Sequence, residues 1–344
     1  MSGRAKVTVA GAGALGLSAA VALADAGLEV TVHDPAPEHS ASAVAAGMLA
    51  PVFEAVLDAE TASLFDLLLA ARDLWPGFAA RTGVEVDRSG AVAVGDPAWL
   101  SMIEAALIRL GVHGIELPNR TAAELAPGLS GAFPEAVLVR EDWRVQPAAA
   151  LAALRAAACA AGVQISCEPV AGLKDADWLV VATGADPSLA ALAPELALLT
   201  PIKGHILRFA GVEAGRVSVR GQGAYAVPSA DGLAVGATME TGVADPAPDP
   251  DRARPLHTAG ARLFPALADA RPEVLAGVRA ATPDGLPMVG RSTAAKVILA
   301  TGARRNGWLL APLVARAVAA CVTGGEAGPH AARLDPARFG QPTA

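Results

Sequence analysis

The chain opens with a regular series of apolar segments between residues 7 and 34. A β-branched run at 7–9 leads into a glycine-rich turn, then an alanine-rich segment at 15–26, then a second β-branched run at 30–32. The pattern predicts a strand, a tight turn, a helix and a second strand that ends at Asp34.

The same strand-and-helix pattern returns at two later places. It predicts the helices 147–161 and 307–321 and the strands 163–167, 178–181 and 297–300. One of these strands leads into Ala182-Thr183-Gly184, a kind of strand end where nucleotide-binding sheets often meet a cofactor. Asn306 stands where a side chain can cap the last helix.

Between these places the apolar residues alternate as they do in antiparallel sheets. The pattern predicts helices at 60–81 and 97–110, a β-hairpin at 84–94 that turns at 87–90, and strands at 137–145, 202–209, 217–220, 224–228, 233–238 and 275–280. The acidic, proline-rich stretch 244–255 predicts a surface loop. The chain after Gly324 is expected to be loosely ordered.

These patterns together predict an α/β protein: a Rossmann-like nucleotide-binding domain with an inserted antiparallel-sheet α+β domain for the substrate. The nucleotide domain is expected to comprise 1–82, 146–200 and 281–330, the inserted domain 83–145 and 201–280, and the tail 331–344. A ligand site is expected between the two domains.

Composition excludes several classes of function. The net charge of −7 provides no basic surface for nucleic acid. The three cysteines lack metal or C-x-x-C spacing and fit structural thiols in a reducing cytoplasm. No apolar run reaches about 18 residues, so no membrane span is expected. A signal peptide is rejected because three glycines interrupt the first apolar run and an acid-ended strand follows it.

The turn G-A-G-A-L-G carries the clearest chemical signal. Gly11 permits the tight turn, Gly13 lets a pyrophosphate approach the backbone, and Gly16 lets the helix pack on the strand. The helix N-terminus favours phosphate, and Asp34 is placed to bind a ribose. The motif predicts a dinucleotide but leaves NAD and FAD open.

Other stretches allow two interpretations each. The small residues at 43–51 fit either a flat cofactor or a tightly packed helix. Arg279, inside an apolar strand, suits either a carboxylate ligand or an internal ion pair. Tyr225, the only tyrosine, fits either the core or a substrate contact. Arg304 and Arg305 form a positive corner before a helix, which suits either an anion or solvent.

The chain offers few residues for acid–base chemistry. Among the histidines, only His205 is considered a candidate near a site. The lack of an acid–base constellation fits a protein whose cofactor performs the difficult step.

Six stretches together resemble one family. They are G-A-G-A-L-G-L-S at 11–18, A-A-G-M-L-A-P at 45–51, P-I-K-G at 201–204, Y-A-V-P…V-G-A-T-M at 225–239, G-V-R-A-A-T-P-D-G-L-P at 277–287 and R-N-G-W-L-L-A-P at 305–312. The chain resembles the D-amino-acid-oxidase-like flavoproteins (the D-amino-acid-oxidase/glutathione-reductase-2 type of fold), and within them the glycine oxidases of thiamine biosynthesis. The resemblance covers the whole chain in the family's order.

The resemblance implies FAD rather than NAD. The residues expected to hold its ADP and diphosphate part, beside the three glycines, are Ala14, Leu15, Asp34, Pro35, Ala41 and Ser42. Val170 is expected beside the adenine, and Ala46, Gly47 and Met48 against the flavin. The turn expected to close over the pyrimidine end of the flavin comprises Ala303, Arg304, Arg305, Asn306, Gly307, Trp308 and Leu309.

The resemblance also implies an activity. Arg279 and Tyr225 are expected to bind the substrate carboxylate, with Arg305 nearby, while flavin N5 accepts a hydride from glycine or another small amino acid or secondary amine. Oxygen would become hydrogen peroxide, and the imine could feed a thiazole synthase. A homo-oligomer is compatible with this interpretation. His205, Ala303 and Arg304 depart from the family's usual residues, which leaves substrate choice and oxygen reactivity less defined.

Three rival functions stay open at this point. A sibling sarcosine, proline or D-amino-acid oxidase or dehydrogenase would use the same fold. A non-catalytic subunit would hold FAD for a partner complex. An NAD-dependent dehydrogenase would share only the dinucleotide motif.

Overall fold

The computed structural model describes residues 4–37, 40–58, 61–173 and 176–340. The helices are α1 Ala14–Asp25, α2 Ala41–Val44, α3 Pro51–Leu57, α4 Phe65–Asp73, α5 Trp75–Thr82, α6 Pro97–Leu110, α7 Asn119–Leu125, α8 Pro147–Ala160, α9 Pro250–Leu263, α10 Gly307–Thr323 and α11 Ala331–Leu334. The strands are β1 Lys6–Ala10, β2 Glu29–His33, β3 Met48–Leu49, β4 Val86–Asp87, β5 Ala91–Ala93, β6 Ile115–Pro118, β7 Glu135–Val139, β8 Trp143–Val145, β9 Gln164–Ser166, β10 Trp178–Val181, β11 Thr200–Ala210, β12 Ser218–Gly221, β13 Ala224–Pro228, β14 Gly232–Gly236, β15 Glu240–Thr241, β16 Glu273–Ala281, β17 Met288–Arg291 and β18 Val297–Thr301. Short 3₁₀ turns occupy Ala62–Leu64, Pro194–Leu198, Pro265–Leu267 and Pro336–Phe339.

The first sheet has the order β17-β18-β10-β1-β2-β9 and is parallel except for β17. Strands β10 and β18 are continuous apolar runs because both of their faces are buried, whereas β1 and β2 carry the half-buried Thr8 and Thr31. Helices α1, α8 and α10 cover one face, with Leu17 and Val314 completely buried there. Leu196 and Leu299 belong to the core on the other face. The short antiparallel strand β17 was not predicted, since it follows directly on the turn-rich stretch 282–287.

The second sheet is mostly antiparallel. Strand β11 pairs with β16 on one side and with β14 on the other, and β13, β12, β5, β7 and β6 follow outward from β14. Helix α9 packs on one face of this sheet, where Phe209 and Val235 are buried with Leu256. The opposite face packs against the segment that follows α2, where Ala46 belongs to the same apolar cluster as Ile206.

The predicted β-hairpin at 84–94 is wrong. Strand β4 pairs with β8, whereas β5 pairs with β7 and β12 in a different sheet. The turn between them is present, because Ser89 N–H donates to Asp87 Oδ1 at 2.8 Å and Gly90 has a φ of 95°. Local turn chemistry identified the bend but could not specify which strands pair on either side of it.

The helix predicted at 60–81 is also wrong as a single element. It is two helices, α4 and α5, that meet at Leu74, because Pro76 has no N–H to continue the hydrogen-bond ladder. Glu60 itself lies outside the described residues. The strand predicted at 137–145 is likewise divided into β7 and β8.

Two predicted loops contain regular structure. Helix α9 begins at Pro250, inside the loop predicted at 244–255, because the Asp249 carboxylate caps its first N–H groups. The tail is ordered as far as residue 340, where Arg338 donates to Asp284 at 2.7 Å; residues 341–344 lie outside the described residues.

The predicted domain boundaries remain a prediction. Strand pairing crosses one of them: β3, placed in the nucleotide domain, pairs with β8, placed in the inserted domain.

Candidate active site

A cleft of about 590 Å³ lies at the carboxyl ends of β1, β2, β10 and β18. Such a strand-end crevice is the usual ligand position in parallel α/β sheets. The predicted cofactor residues that line it are Gly11, Gly13, Ala14, Leu15, Asp34, Pro35, Ala41, Ser42, Val170, Ala303, Arg304, Arg305, Gly307 and Trp308.

The glycine turn is shaped as the dinucleotide motif requires. Gly11 has a φ of 103°, and a Cβ there would lie 2.4 Å from the carbonyl oxygen of Ala182. A Cβ on Gly16 would lie 2.0 Å from the carbonyl oxygen of Gly11. Gly13, at the N-terminus of α1, provides no side-chain cap, so the positive end of the helix faces the cleft. The cradle therefore fits a dinucleotide diphosphate.

Asp34 and Ser42 hold this turn in place. Asp34 accepts hydrogen bonds from Ala12 N–H at 2.8 Å and Ala36 N–H at 3.1 Å, and Ser42 Oγ accepts from Ala14 N–H at 3.0 Å. A carboxylate has about four acceptor sites, so Asp34 retains capacity for a ribose hydroxyl.

A second cavity of about 320 Å³ adjoins the cleft, and the two share Ala45, Arg279, Arg305 and Trp308 as lining residues. The remaining predicted flavin contacts that line this second cavity are Ala46, Gly47, Met48 and Asn306. Asn306 occupies the N-cap position of α10 but makes no side-chain cap hydrogen bond. Gly47 has a φ of 76°, and a Cβ there would lie 2.2 Å from the Val145 carbonyl oxygen.

Arg279 and Tyr225 both line this second cavity. No described carboxylate forms an ion pair with Arg279, whose Nη1 donates to the Thr238 carbonyl oxygen at 3.5 Å. Burial raises the pKa of Tyr225, although the nearby Arg279 opposes this, so the phenol keeps its proton. Burial also lowers the pKa of Arg279. The pair therefore offers a guanidinium and a phenol donor to one ligand.

The corner at Arg304 and Arg305 is not strongly positive, which corrects the sequence prediction. Arg304 pairs with Asp58, and Arg305 lies 3.3 Å from both Asp58 Oδ2 and Glu54 Oε1. Glu54 raises the pKa of Arg305. The same oxygen of Glu54 also accepts from Arg220 at 3.3 Å. Carboxylates about 250 positions earlier in the chain thus neutralise this corner.

Asp142 supports the helix that carries Glu54. Its two oxygens accept from Val52 N–H at 2.8 Å and Phe53 N–H at 3.0 Å at the start of α3. Complete burial raises the pKa of Asp142 to about 6, although Arg220 opposes the shift. A group that sequence reasoning did not identify therefore fixes one wall of the cavity.

His205 lies away from the site. It is completely buried on the face of β11 opposite to the cavity. The next residue, Ile206, lines the cavity, and successive side chains of a strand point to opposite faces. Its Nε2 accepts from Asp249 N–H at 2.9 Å, and its Nδ1 lies 3.0 Å from Glu240. Burial lowers the pKa of His205, which favours the neutral ring.

Two predicted cofactor residues line neither cavity, namely Gly16, which packs against the turn, and Leu309, which is completely buried. Conversely, Thr301 and Gly302 line the cleft beside Thr183 and Gly184. Thr301 Oγ1 donates to the Gly184 carbonyl oxygen at 2.9 Å, which ties the two strand ends together. The repeated A-T-G after a buried strand was the signal that could have identified them.

Two further observations concern metal binding and membrane-spanning helices. Among the residues that the structure describes, no group of three or more His, Cys, Asp or Glu side chains could hold a metal ion. Within those same ranges, no helix is both long and apolar enough to cross a membrane.

Comparison with known proteins identifies the family. Residues 6–321 match the family described as FAD dependent oxidoreductase. The bifunctional protein ThiO/ThiG of Trichormus variabilis is 30% identical, with 97% of this chain and 55% of that protein covered. The putative thiamine biosynthesis oxidoreductase ThiO of Rhizobium etli is 32% identical, with 91% of this chain and 95% of that protein covered. The crystal structure of glycine oxidase from Geobacillus kaustophilus has a TM-score of 0.81 at 25% identity, covering 97% of this chain and 99% of that one.

The chain belongs to the FAD-dependent oxidoreductase family, and its cofactor is FAD. It spans about half the length of the bifunctional relative and nearly the full length of the other two proteins. The expected fold class, a Rossmann-like domain combined with an antiparallel sheet, is confirmed.

Proposed function

We propose that this protein oxidises the amine of glycine, or of another small amino acid or secondary amine, to the imine, with reduction of oxygen to hydrogen peroxide. One observation carries the proposal. Arg279, which forms no ion pair with a described carboxylate, lines the same cavity as the protonated Tyr225, and this cavity shares four lining residues with the cofactor cleft.

In this proposal FAD lies along both cavities. The glycine turn and the start of α1 bind its diphosphate, Asp34 its ribose, and Val170 the neighbourhood of its adenine. The segment Ala46-Gly47-Met48 and the first turn of α10 hold its flavin. Trp308 Nε1 donates to the Ser42 carbonyl oxygen at 3.1 Å, which joins the two ends of this binding site.

Arg279 binds the substrate carboxylate through its guanidinium fork, and Tyr225 donates a hydrogen bond to the same group. Both contacts fix the substrate at one point of the cavity and so orient its Cα–H bond. Bound FAD supplies the two-electron acceptor for the amine, and oxygen takes those electrons onward.

The other charged groups that line the cavity form ion pairs with one another. Among the described lining residues, Glu54 Oε1 accepts from both Arg220 and Arg305 at 3.3 Å and so serves as their counter-ion. No lining group is therefore assigned as a base for the Cα proton. The substrate amine has to enter in its neutral form, since its lone pair must assist the loss of the Cα hydrogen.

Thiamine biosynthesis is the proposed context. The support is the name of the Rhizobium relative and the ThiO part of the bifunctional relative's name. In this context the imine passes to thiazole synthesis.

The deciding experiment is anaerobic mixing of the purified, FAD-loaded protein with glycine, sarcosine and D-alanine. At least one amine is expected to bleach the flavin absorbance band at about 450 nm. Hydrogen peroxide should then form when air is admitted. Bleaching by sarcosine or D-alanine alone would assign a sibling activity. If no amine reduces the flavin, the protein is a non-catalytic FAD carrier and the proposal is wrong.

A further inference from the structure

We propose that Gly204 and Gly236 are positioning residues that form a flat floor on which the Arg279 and Tyr225 side chains lie. The inference rests on the proposed function, because it concerns how the carboxylate-binding pair is held. Neither glycine has the left-handed backbone conformation that requires glycine for its own sake. Both are therefore needed for space.

Gly204 lies under the guanidinium of Arg279. Arg279 is on β16, directly opposite Ile202 of β11. Its side chain therefore extends diagonally over β11 to reach Gly204, two residues farther along that strand. A Cβ on Gly204 would lie 2.2 Å from Arg279 Nη1, 2.6 Å from Nη2 and 2.7 Å from Cζ. These three atoms are its nearest neighbours, so the missing side chain leaves room for this guanidinium.

Gly236 has the same relation to Tyr225. The two residues are directly opposite each other on β14 and β13. A Cβ on Gly236 would lie 2.2 Å from the phenol oxygen and 2.3 Å from Cζ of Tyr225. The phenol therefore lies over the backbone of β14 at Gly236, and a side chain at this position would displace it.

The strand order explains why the two side chains meet. Strands β16, β11, β14 and β13 are consecutive neighbours, so Arg279 and Tyr225 enter from the two outer strands. Each side chain leans inward over a glycine of an inner strand. Residues directly opposite in a sheet point to the same face, which is the face that lines the cavity. The floor thus turns the guanidinium fork and the phenol toward one carboxylate.

A third glycine on this face, Gly277, makes room for a different neighbour. It is paired with Gly204, yet a Cβ there would meet Val44 and Ala41 of α2 at 3.3 and 3.4 Å. Gly277 therefore accommodates the cofactor-binding segment, whereas Gly204 and Gly236 accommodate the substrate-binding side chains.

The test compares Gly204→Ala and Gly236→Ala with Gly77→Ala, a control on α5 whose Cβ would meet nothing within 4 Å. The FAD-loaded proteins are titrated calorimetrically with acetate, a carboxylate without an amine, and KM and kcat are measured for the amine that bleaches the flavin. A misplaced anchor should raise the acetate Kd and the KM about tenfold or more, while FAD content stays at the parent level. Gly77→Ala should bind acetate as the parent does.

A second measurement does not depend on ligand binding. Gly204→Ala should lower the thermal midpoint in the parent but not in an Arg279→Ala background, and Gly236→Ala should behave likewise in a Tyr225→Ala background. A variant that is equally destabilised, or equally unable to fold, in both backgrounds overturns the inference.

The outcomes separate the two proposals. If Arg279→Ala abolishes acetate binding but Gly204→Ala and Gly236→Ala leave it within twofold of the parent, the floor is wrong and the carboxylate site stands. If Arg279→Ala itself leaves acetate binding unchanged, the carboxylate site is wrong and the inference falls with it.

Discussion

At the scale of single residues, the site is defined by which charges are paired and which are not. Arg304, Arg305 and Arg220 are each matched by Asp58 or Glu54, whereas Arg279 has no described counter-ion. Arg279 is half-buried, and a charge that is withdrawn from water without a partner is costly unless a ligand supplies one. The ligand expected at Arg279 is therefore an anion.

Replacement of Arg279 tests this directly. Arg279→Ala should lower kcat/KM for the active amine roughly 100-fold, because a bidentate charged contact is lost. Arg279→Lys keeps the positive charge but lacks the guanidinium fork, so its kcat/KM should lie between those of the parent and Arg279→Ala. Steady-state kinetics with matched FAD content provide the measurement. Turnover by Arg279→Ala at the parent rate would show that Arg279 does not bind the substrate carboxylate.

Asp142 makes stability depend on pH. Its folded pKa of about 6 lies above the ordinary value of 3.8, so its favourable contribution is complete below pH 3.8 and is lost as pH rises through about 6. Asp142→Asn removes this titration. Between pH 5 and pH 8 the unfolding free energy of the parent should fall by about 1.4 kcal/mol relative to the variant.

Urea denaturation across this pH range checks the Asp142 prediction. The exposed Asp269→Asn serves as a control and should follow the parent. Parallel pH profiles for the parent and Asp142→Asn would show that the buried carboxyl does not titrate in this range.

At the scale of elements, close backbone approaches position the cofactor cleft. Helix α1 can pack against β1 and the strand end at Ala182 only because Gly11 and Gly16 have no side chains. The sequence predicted this unit well, since strand, turn and helix are adjacent in the chain and their signals are local. It failed for β4 and β5, whose partners lie about 50 to 130 residues away.

Gly16→Ala should disturb the cofactor cleft. The added methyl would lie 2.0 Å from the Gly11 carbonyl oxygen, so the helix must move away from the turn. We expect a lower FAD content after purification. The thermal midpoint should lie on the order of several degrees below that of the parent. Flavin absorbance per polypeptide and calorimetry measure both, with Gly77→Ala as the matched helical substitution. Full FAD occupancy at the parent midpoint would contradict the prediction.

At the scale of the whole molecule, the two cavities adjoin each other through four shared lining residues and are bordered by residues of both sheets. The lining residues come from 10–57, 169–189, 206–246, 278–280 and 300–308. A cofactor that spans this space would contact segments that are distant in sequence. Its binding energy should therefore add to the stability of the folded chain as a whole.

Removal of FAD should accordingly lower the thermal midpoint. A ligand at 100 times its Kd stabilises a protein by about 2.7 kcal/mol when it binds only the folded state. Stripping the cofactor and restoring it in steps should move the midpoint upward with FAD concentration, as followed by tryptophan fluorescence. A midpoint that does not respond to FAD would show that the cofactor contributes little to the fold.

The sequence by itself determined the features that depend on neighbouring residues. Hydrophobic periodicity and glycine spacing predicted the first strand–turn–helix unit, most strands of both sheets, and the unusual position of Arg279. Only the tertiary structure decided how distant residues combine. It paired Arg304 and Arg305 with Asp58 and Glu54, placed His205 away from the cavity, and set Gly204 and Gly236 beneath Arg279 and Tyr225. These outcomes follow from strand register and packing across the sheet, which local sequence patterns do not specify.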